Sequence, residues 1–392
     1  MKNLKIILSY LLVAIIASMI TLAVFCPAPT ENVAPATEEY NKLDDLTHVI
    51  DTYFIGEADH TAMEDAAAAA MVEALDDRWS YYMTAADYQA YIEQMQNSYV
   101  GIGITIMSSE DISGLEVIKV NEGSPAEEAG MLAGDVIIAV EGQSVIGMMT
   151  TEVRNLVRGQ EGTQVLIGIR RGEETMDLSI TRKTVQTPVA EWKLLDEGIG
   201  LITIYNFDDR CAQETIAAIE SLLAQGAQGL ILDVRNNPGG YKHELVKLLD
   251  YLLPEGPLFR SEDYRGNVEV DESDANCLEI PMTVLINADT YSAAEFFAAA
   301  LSEYDAAKLV GEKTFGKGHF QTSFTLDDGS AIVLSIGKYT TPKGVSLVGT
   351  GLTPDIPVEV DEETAYRIYL GLLDPAEDPQ LQAAIAALLG NE

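Results

Sequence analysis

Histidine and cysteine are scarce in this chain, with four His and three Cys among 392 residues. His48, His60, His243 and His319 form no HExxH, so a histidine-rich metal site is not supported. Cys26, Cys211 and Cys277 form no CxxC and are too few for a disulfide framework; Cys211 and Cys277 pair only if the fold brings them together. Positive charge is thin as well. Lys and Arg number 24 against 62 Asp and Glu, a formal net charge of −38. Charge of that sign repels phosphate backbones and disfavours nucleic acid as a partner. There is no long-period repeat and no G-x-S-x-G. The 47% hydrophobic and 22% charged residues describe a globular chain.

The first residues differ from the rest. Lys2 and Lys5 precede an apolar run, Ile6 to Cys26, whose ~21 residues would rise about 31 Å as a helix and cross a bilayer. Prolines in "FCPAPT" crowd any cleavage point, and Phe25 before Cys26 does not suit lipid attachment. A single-pass membrane anchor is therefore expected over a cleaved signal that would leave the protein secreted. Lysines before the run and acid after it place the body outside the cytoplasm. The text divides into an anchor or signal, 1–27, a Pro/Ala/Thr-rich linker, 28–39, a helical segment, 40–97, a unit of short strands, 98–186, a strand–helix alternation, 187–360, and a helical end, 361–392. The expected fold is multidomain, α+β with an α/β core.

In the strand-rich unit, "YVGIGITI" sets Gly101, Ile102, Gly103 and Ile104 ahead of a strand. Free N–H groups in such a loop can hold a carboxylate, and the strand edge can accept an extended peptide; an ordinary turn is the simpler reading. The text that follows, "NEGSPAEEAGMLAGDVIIAVEGQSV", resembles the PDZ domain, a β-sandwich with two helices. The resemblance implies capture of protein C-termini at residues 101–104.

Three further stretches carry candidate chemistry. "ILDVRNNPGG" ends an apolar strand in glycines whose N–H groups can face an oxyanion, or it is a plain turn. "LINADTYSAAEFF" places Ser292 where a strand gives way to a helix. Ser292 is there an N-cap, or a nucleophile whose developing charge meets the helix's positive end and the Ala293 N–H. A serine needs a base, and no histidine has triad company. "GEKTFGKGHFQTSF" offers Lys317, with glycines on both sides and Phe315 and Phe320 near. Burial can lower a lysine from about 10.4 toward 7 and make it that base. Lys313, beside Glu312, reads as solvated or paired. If 317–321 is extended, Lys317, His319 and Gln321 share a face.

The blocks "LDVRNNPGG", "ADTYSAAEFFAAAL", "GEKTFGKGHFQ" and "YTTPKGVSLVGTGLTPDI", with "EALDDRWSYYMTAADYQAYIEQMQNSYVGIGI" before them, resemble the C-terminal processing peptidases, PDZ-containing Ser/Lys serine proteases of family S41. The resemblance covers about residues 40–360. It implies Ser292 as nucleophile, Lys317 as general base and Gln321 as the residue orienting it. It implies an oxyanion hole from Gly239 and Ala293, with Gly240 the second choice for the first, and no metal or cofactor. Protein or peptide substrates with free C-termini follow, as do pairing of two copies through terminal helices and a link through Arg158 between PDZ unit and protease. His319 and Phe320 between lysine and glutamine, and Tyr291 before the serine, depart from the family pattern. Competing readings are a peptide-binding PDZ scaffold with an inactive protease fold, and a hydrolase using Ser292 with His319.

Overall fold

The structure, a computed structural model, describes residues 41–108 and 114–390. The expected anchor, 1–27, and linker, 28–39, lie outside them. Among the described residues no helix is long and apolar enough to cross a membrane. The chain divides at Ala67. Before that point stands the helix Asn41–Tyr53, and His60 lies 3.3 Å from Asp51.

From Ala68 onward the centre is a six-stranded sheet. Its order is 190–194, 199–204, 229–233, 282–286, 307–311 and 356–357; the first strand is antiparallel to its neighbour and the rest run parallel. Gly229–Asp233 and Met282–Ile286 are buried at every residue, as strands covered on both faces must be. Leu230, Leu232, Val284 and Ile286 pack on the helices Cys211–Ala224, Lys242–Leu252 and Ala293–Glu303. Ile231, Leu285 and Val310 point the other way, onto Leu381, Ala384 and Ile385 of the helix Pro379–Leu389. His319–Thr325 and Ala331–Thr340 pair antiparallel as a hairpin. The segment read as wholly helical, 40–97, contains a strand, Tyr81–Met83, that pairs with 331–333. Tyrosines fit a pleated surface better than the helix-rich text around them suggests.

The strand-rich unit is an antiparallel sheet of 104–108, 115–120, 136–140, 164–171 and 174–181, with helices Pro125–Glu128 and Thr150–Val157. Leu115, Val117, Ile137, Val165, Ile167 and Ile169 form its core. Buried Asp135 is held by Arg171 through two 2.7 Å bonds and by the Leu132 N–H. Cys211 is buried, Cys277 is exposed, and both are free thiols, so they do not pair.

Candidate active site

Three loops meet at the carboxyl ends of the parallel strands, where open α/β sheets place their ligands. They are 234–241, 287–292 and 312–318, and side chains zip them together. The Asn236 N–H donates to Asn287 Oδ1, and Asn287 Nδ2 donates to Asn236 Oδ1, each at 2.9 Å. Thr290 Oγ1 donates to the Val234 carbonyl, and the Phe315 N–H donates to the Thr290 carbonyl. The Tyr291 N–H donates to the carbonyl of Asn237, a fully buried residue whose Nδ2 bonds Ile204 O.

Ser292 stands at the N-cap position of Ala293–Glu303 but has φ 59° and ψ −129°. An ordinary N-cap is extended. Positive φ at a non-glycine residue stores strain, and it persists only where the surroundings impose it. Here Glu295 imposes it. Its buried carboxylate accepts from Ser292 N at 3.1 Å, Lys317 N at 2.8 Å, Gly316 N at 2.7 Å and Thr314 Oγ1 at 2.5 Å. One oxygen, Oε2, serves both Ser292 and Lys317. The two backbone nitrogens thus stand within about 6 Å of each other, the limit those bond lengths allow. Burial raises the pKa of Glu295 although these bonds oppose the rise. Reading residue by residue missed Glu295, yet Ser-x-x-Glu at a helix start is a recognisable capping pattern.

Lys317 enters a cage of aromatic rings. Its Nζ lies 4.3 Å from the centroid of Trp79 and 5.9 Å from that of Tyr291, the residue preceding Ser292. Trp79, Tyr291 and Phe315 pack on one another with centroids 5.7–6.4 Å apart. Burial pulls the Lys317 ammonium from 10.5 down to about 8, against the carboxylates of Asp77 and Glu295, which favour its charge. Asp77 and Trp79 were not singled out from the sequence; they lie more than 200 positions upstream, with no local signal pointing at Lys317. They and His319 line a cleft of about 840 Å³.

Gln321 Nε2 donates to His319 O at 3.2 Å and to Ser335 Oγ at 3.1 Å. The Asp77 carboxylate accepts from the Ser80 and Ser335 hydroxyls, and the Ser335 N–H donates to Ser80 Oγ at 3.0 Å. The strand register shifts between Phe320 and Gln321. The extra residue of that bulge, Ile336, is in the partner strand, so His319 and Gln321 keep their alternation, while Lys317 precedes the strand His319–Thr325. Phe320 stacks on Tyr339, 4.8 Å between centroids, away from the lysine cage. Lys313 is exposed.

The glycine turn closes on the serine. A Cβ built on Gly239, whose φ is 90°, would stand 2.8 Å from Ala293 N and from Ser292 Cβ. The Gly239 N–H itself donates to Asn237 Oδ1 at 2.9 Å, so an oxyanion would have to take it from that side chain. A Cβ on Gly240 would strike the Phe207 carbonyl. Ala293 N–H heads the helix and is one of the donors a helix leaves without an internal partner. Arg235 of the same motif is buried and holds Asp233 at 2.6 Å and Asp378 at 2.9 Å, tying the C-terminal segment to the sheet.

At the second site, Gly103 has φ 82°, and a Cβ on it would stand 2.3 Å from that of Ser124, so only glycine fits. Ile102 is 1% exposed. The Tyr99 hydroxyl is bonded to the backbone of Gly103 and Ile104, and its ring packs on Gly101. Arg158 lies over that ring at 5.1 Å. Burial raises the Tyr99 pKa, with Arg158 opposing. Across the domain boundary, Lys119 pairs with Glu191 of the strand Ala190–Leu194.

Comparison with known proteins places the chain in a family. The model for peptidase family S41 matches residues 198–358, and that for a PDZ domain matches 116–171. The chain is 33% identical over 367 residues to the carboxy-terminal processing protease CtpA of Bacillus subtilis, covering 92% of this chain and 78% of that protein. It is 32% identical to a CtpA-like serine protease of Staphylococcus aureus, covering 84% of this chain and 66% of the relative. A solved structure assigned to the S41 proteases, from Bacteroides fragilis, shares the fold with a TM-score of 0.55 and 20% identity, over 83% of this chain and 90% of that one.

Proposed function

Because the chain belongs to peptidase family S41, with the carboxy-terminal processing serine proteases, we propose that it cleaves proteins through a Ser292/Lys317 dyad. Neutral Lys317 takes the Ser292 hydroxyl proton as Oγ attacks the peptide carbonyl. The tetrahedral oxyanion is met by the Ala293 N–H and a glycine N–H, of Gly239 once released from Asn237 or of Gly240. The resulting ammonium protonates the leaving amine. Water, deprotonated by Lys317, then releases the acyl group from Ser292. Gln321 positions the lysine through its amide oxygen, the nitrogen being spent on Ser335 and His319. The observation that carries this reading is Lys317: a half-buried amine against Trp79, pulled to about 8, on a residue whose backbone N–H shares one Glu295 oxygen with the backbone N–H of the strained serine.

The PDZ unit holds a substrate's C-terminal carboxylate at residues 101–104, where it takes the place of the Tyr99 hydroxyl on the Gly103 and Ile104 N–H groups. The apolar run 6–26 holds the protein in a membrane with its catalytic body outside the cytoplasm, and two copies pair. Mass spectrometry of the mature N-terminus, membrane fractionation and light scattering test these last points.

The decisive experiment is cleavage of an unstructured protein by the wild type and by Ser292→Ala, Lys317→Ala and His319→Ala. Both dyad variants should lose at least about 10³-fold in rate. Survival of either would sink the dyad. Loss with His319→Ala alone would transfer the base role to histidine. Bound C-terminal peptides without wild-type cleavage would make the chain a binding scaffold.

A further inference from the structure

Cations are the minority in this chain, 24 against 62 acids, yet they gather in one cleft. A cavity of about 830 Å³ runs from the PDZ unit to the edge of the protease sheet, and Arg154, Arg158 and Lys193 line it. The cleft's acids are already engaged: Glu191 by Lys119, and Asp233 and Asp378 by Arg235. Among the described residues, Arg154, Arg158 and Lys193 have no ion-pair partner.

The direction of the groove can be read from two contacts. Thr150 Oγ1 lies 3.4 Å from Ser108 Oγ, so the helix Thr150–Val157 begins beside the far end of the strand Ile104–Ser108. Arg158, just past the helix, lies over Tyr99 at the near end. The strand is the last of its sheet and leaves an edge toward the helix. A peptide with its carboxylate at Gly103 and Ile104 adds to that edge antiparallel and runs toward Ser108. Its side chains alternate, so the last residue and the third from last face the helix. The last meets Ile102, Ile104 and Val157, an apolar pocket. Arg154 lies one helical turn from Arg158, about 6 Å, which matches two residues of strand, about 6.6 Å.

We propose that this groove selects protein C-termini with an apolar last residue and Asp or Glu third from the end, read by Arg154, with Arg158 and Lys193 extending the positive field. The inference rests on the capture of C-termini proposed above. It also gives the charge a use: a chain of −38 repels acidic peptides at a distance, and this cleft reverses the sign locally.

The test is fluorescence anisotropy with the full chain carrying Ser292→Ala, so that peptides stay intact. Ten-residue peptides ending Glu-Ala-Val, Gln-Ala-Val and Lys-Ala-Val are compared, with an amidated Glu-Ala-Val. The Glu peptide should bind up to about fivefold more tightly than the Gln peptide, as a partly exposed ion pair allows, and the Lys peptide more weakly than both. Arg154→Glu, at an exposed position, should reverse that order, and Arg154→Ala should level it. Equal affinity for Glu, Gln and Lys, with the amide failing to bind, overturns the acidic preference and leaves C-terminal capture standing. An amide that binds as tightly as the free acid overturns the capture itself.

Discussion

In the proposed function the serine loop and the PDZ loop both meet a negative charge with backbone N–H groups, and they are held in different ways. Around Ser292 the fastenings are buried side chains: Thr290 donates to the Val234 carbonyl, Asn237 to the Ile204 carbonyl, and Glu295 accepts from the Gly316 and Lys317 N–H groups. Around Gly103 the occupant is a half-buried tyrosine beneath an exposed arginine. A reacting charge needs donors that do not move at the moment of reaction. A ligand that must come and go needs donors whose internal partner can leave. In the proposed function the serine loop is the more firmly fastened of the two, although its Gly239 N–H, like those of Gly103 and Ile104, leaves an internal partner to meet charge.

The strongest way to break the catalytic half is Glu295→Ala. It strips four buried donors of their acceptor, at about 1–3 kcal/mol for each group left unpaired. Cleavage should vanish and thermal unfolding should show a loss of at least about 3 kcal/mol; Glu295→Gln, which keeps the shape, should fall between. A variant with wild-type melting would show that the loops do not depend on this carboxylate. Gly239→Ala comes next. Its methyl would stand 2.8 Å from the Ala293 N–H, and turnover should drop about 10²–10³-fold, as for loss of an oxyanion donor, with a smaller change in melting.

A milder probe is pH. The base must be neutral, and Lys317 is pulled to about 8. Activity should therefore rise about tenfold per unit below pH 8 and level off above it. The Asp77 carboxylate favours the ammonium, so Asp77→Asn should move the rising limb to lower pH, by up to about one unit. A shift to higher pH would contradict the assigned environment. The smallest effect tests the PDZ half. Tyr99→Phe removes the hydroxyl from Gly103 and Ile104, and a C-terminal peptide should bind about two- to tenfold more tightly. Unchanged affinity would mean that the tyrosine does not compete with the ligand.

Much of this was legible in the chain. The apolar strand ahead of the glycines at 239 and 240, and the step from strand to helix at Ser292, both read directly from the text. The glycines at 103 and 239 read as loops exposing N–H groups or as plain turns, and the structure adds that neither leaves room for a Cβ. What escaped was non-local. The strand at 81–83 exists because 331–333 offers it an edge. The bulge at Ile336, opposite Phe320 and Gln321, depends on how the two hairpin strands align.

Local chemistry alone thus determined the elements, the turns and the reactive residue types, because helix periodicity, strand alternation and glycine's conformational freedom are properties of neighbouring residues. The tertiary structure decided their state. That Lys317 lies against Trp79, that Glu295 gathers Ser292 and Lys317 on one oxygen, and that Tyr99 sits on the PDZ loop all join residues far apart in the chain or fix side chains in space. The burial that lowers a lysine, and the crowding that holds a serine at positive φ, arise only when distant segments exclude water together.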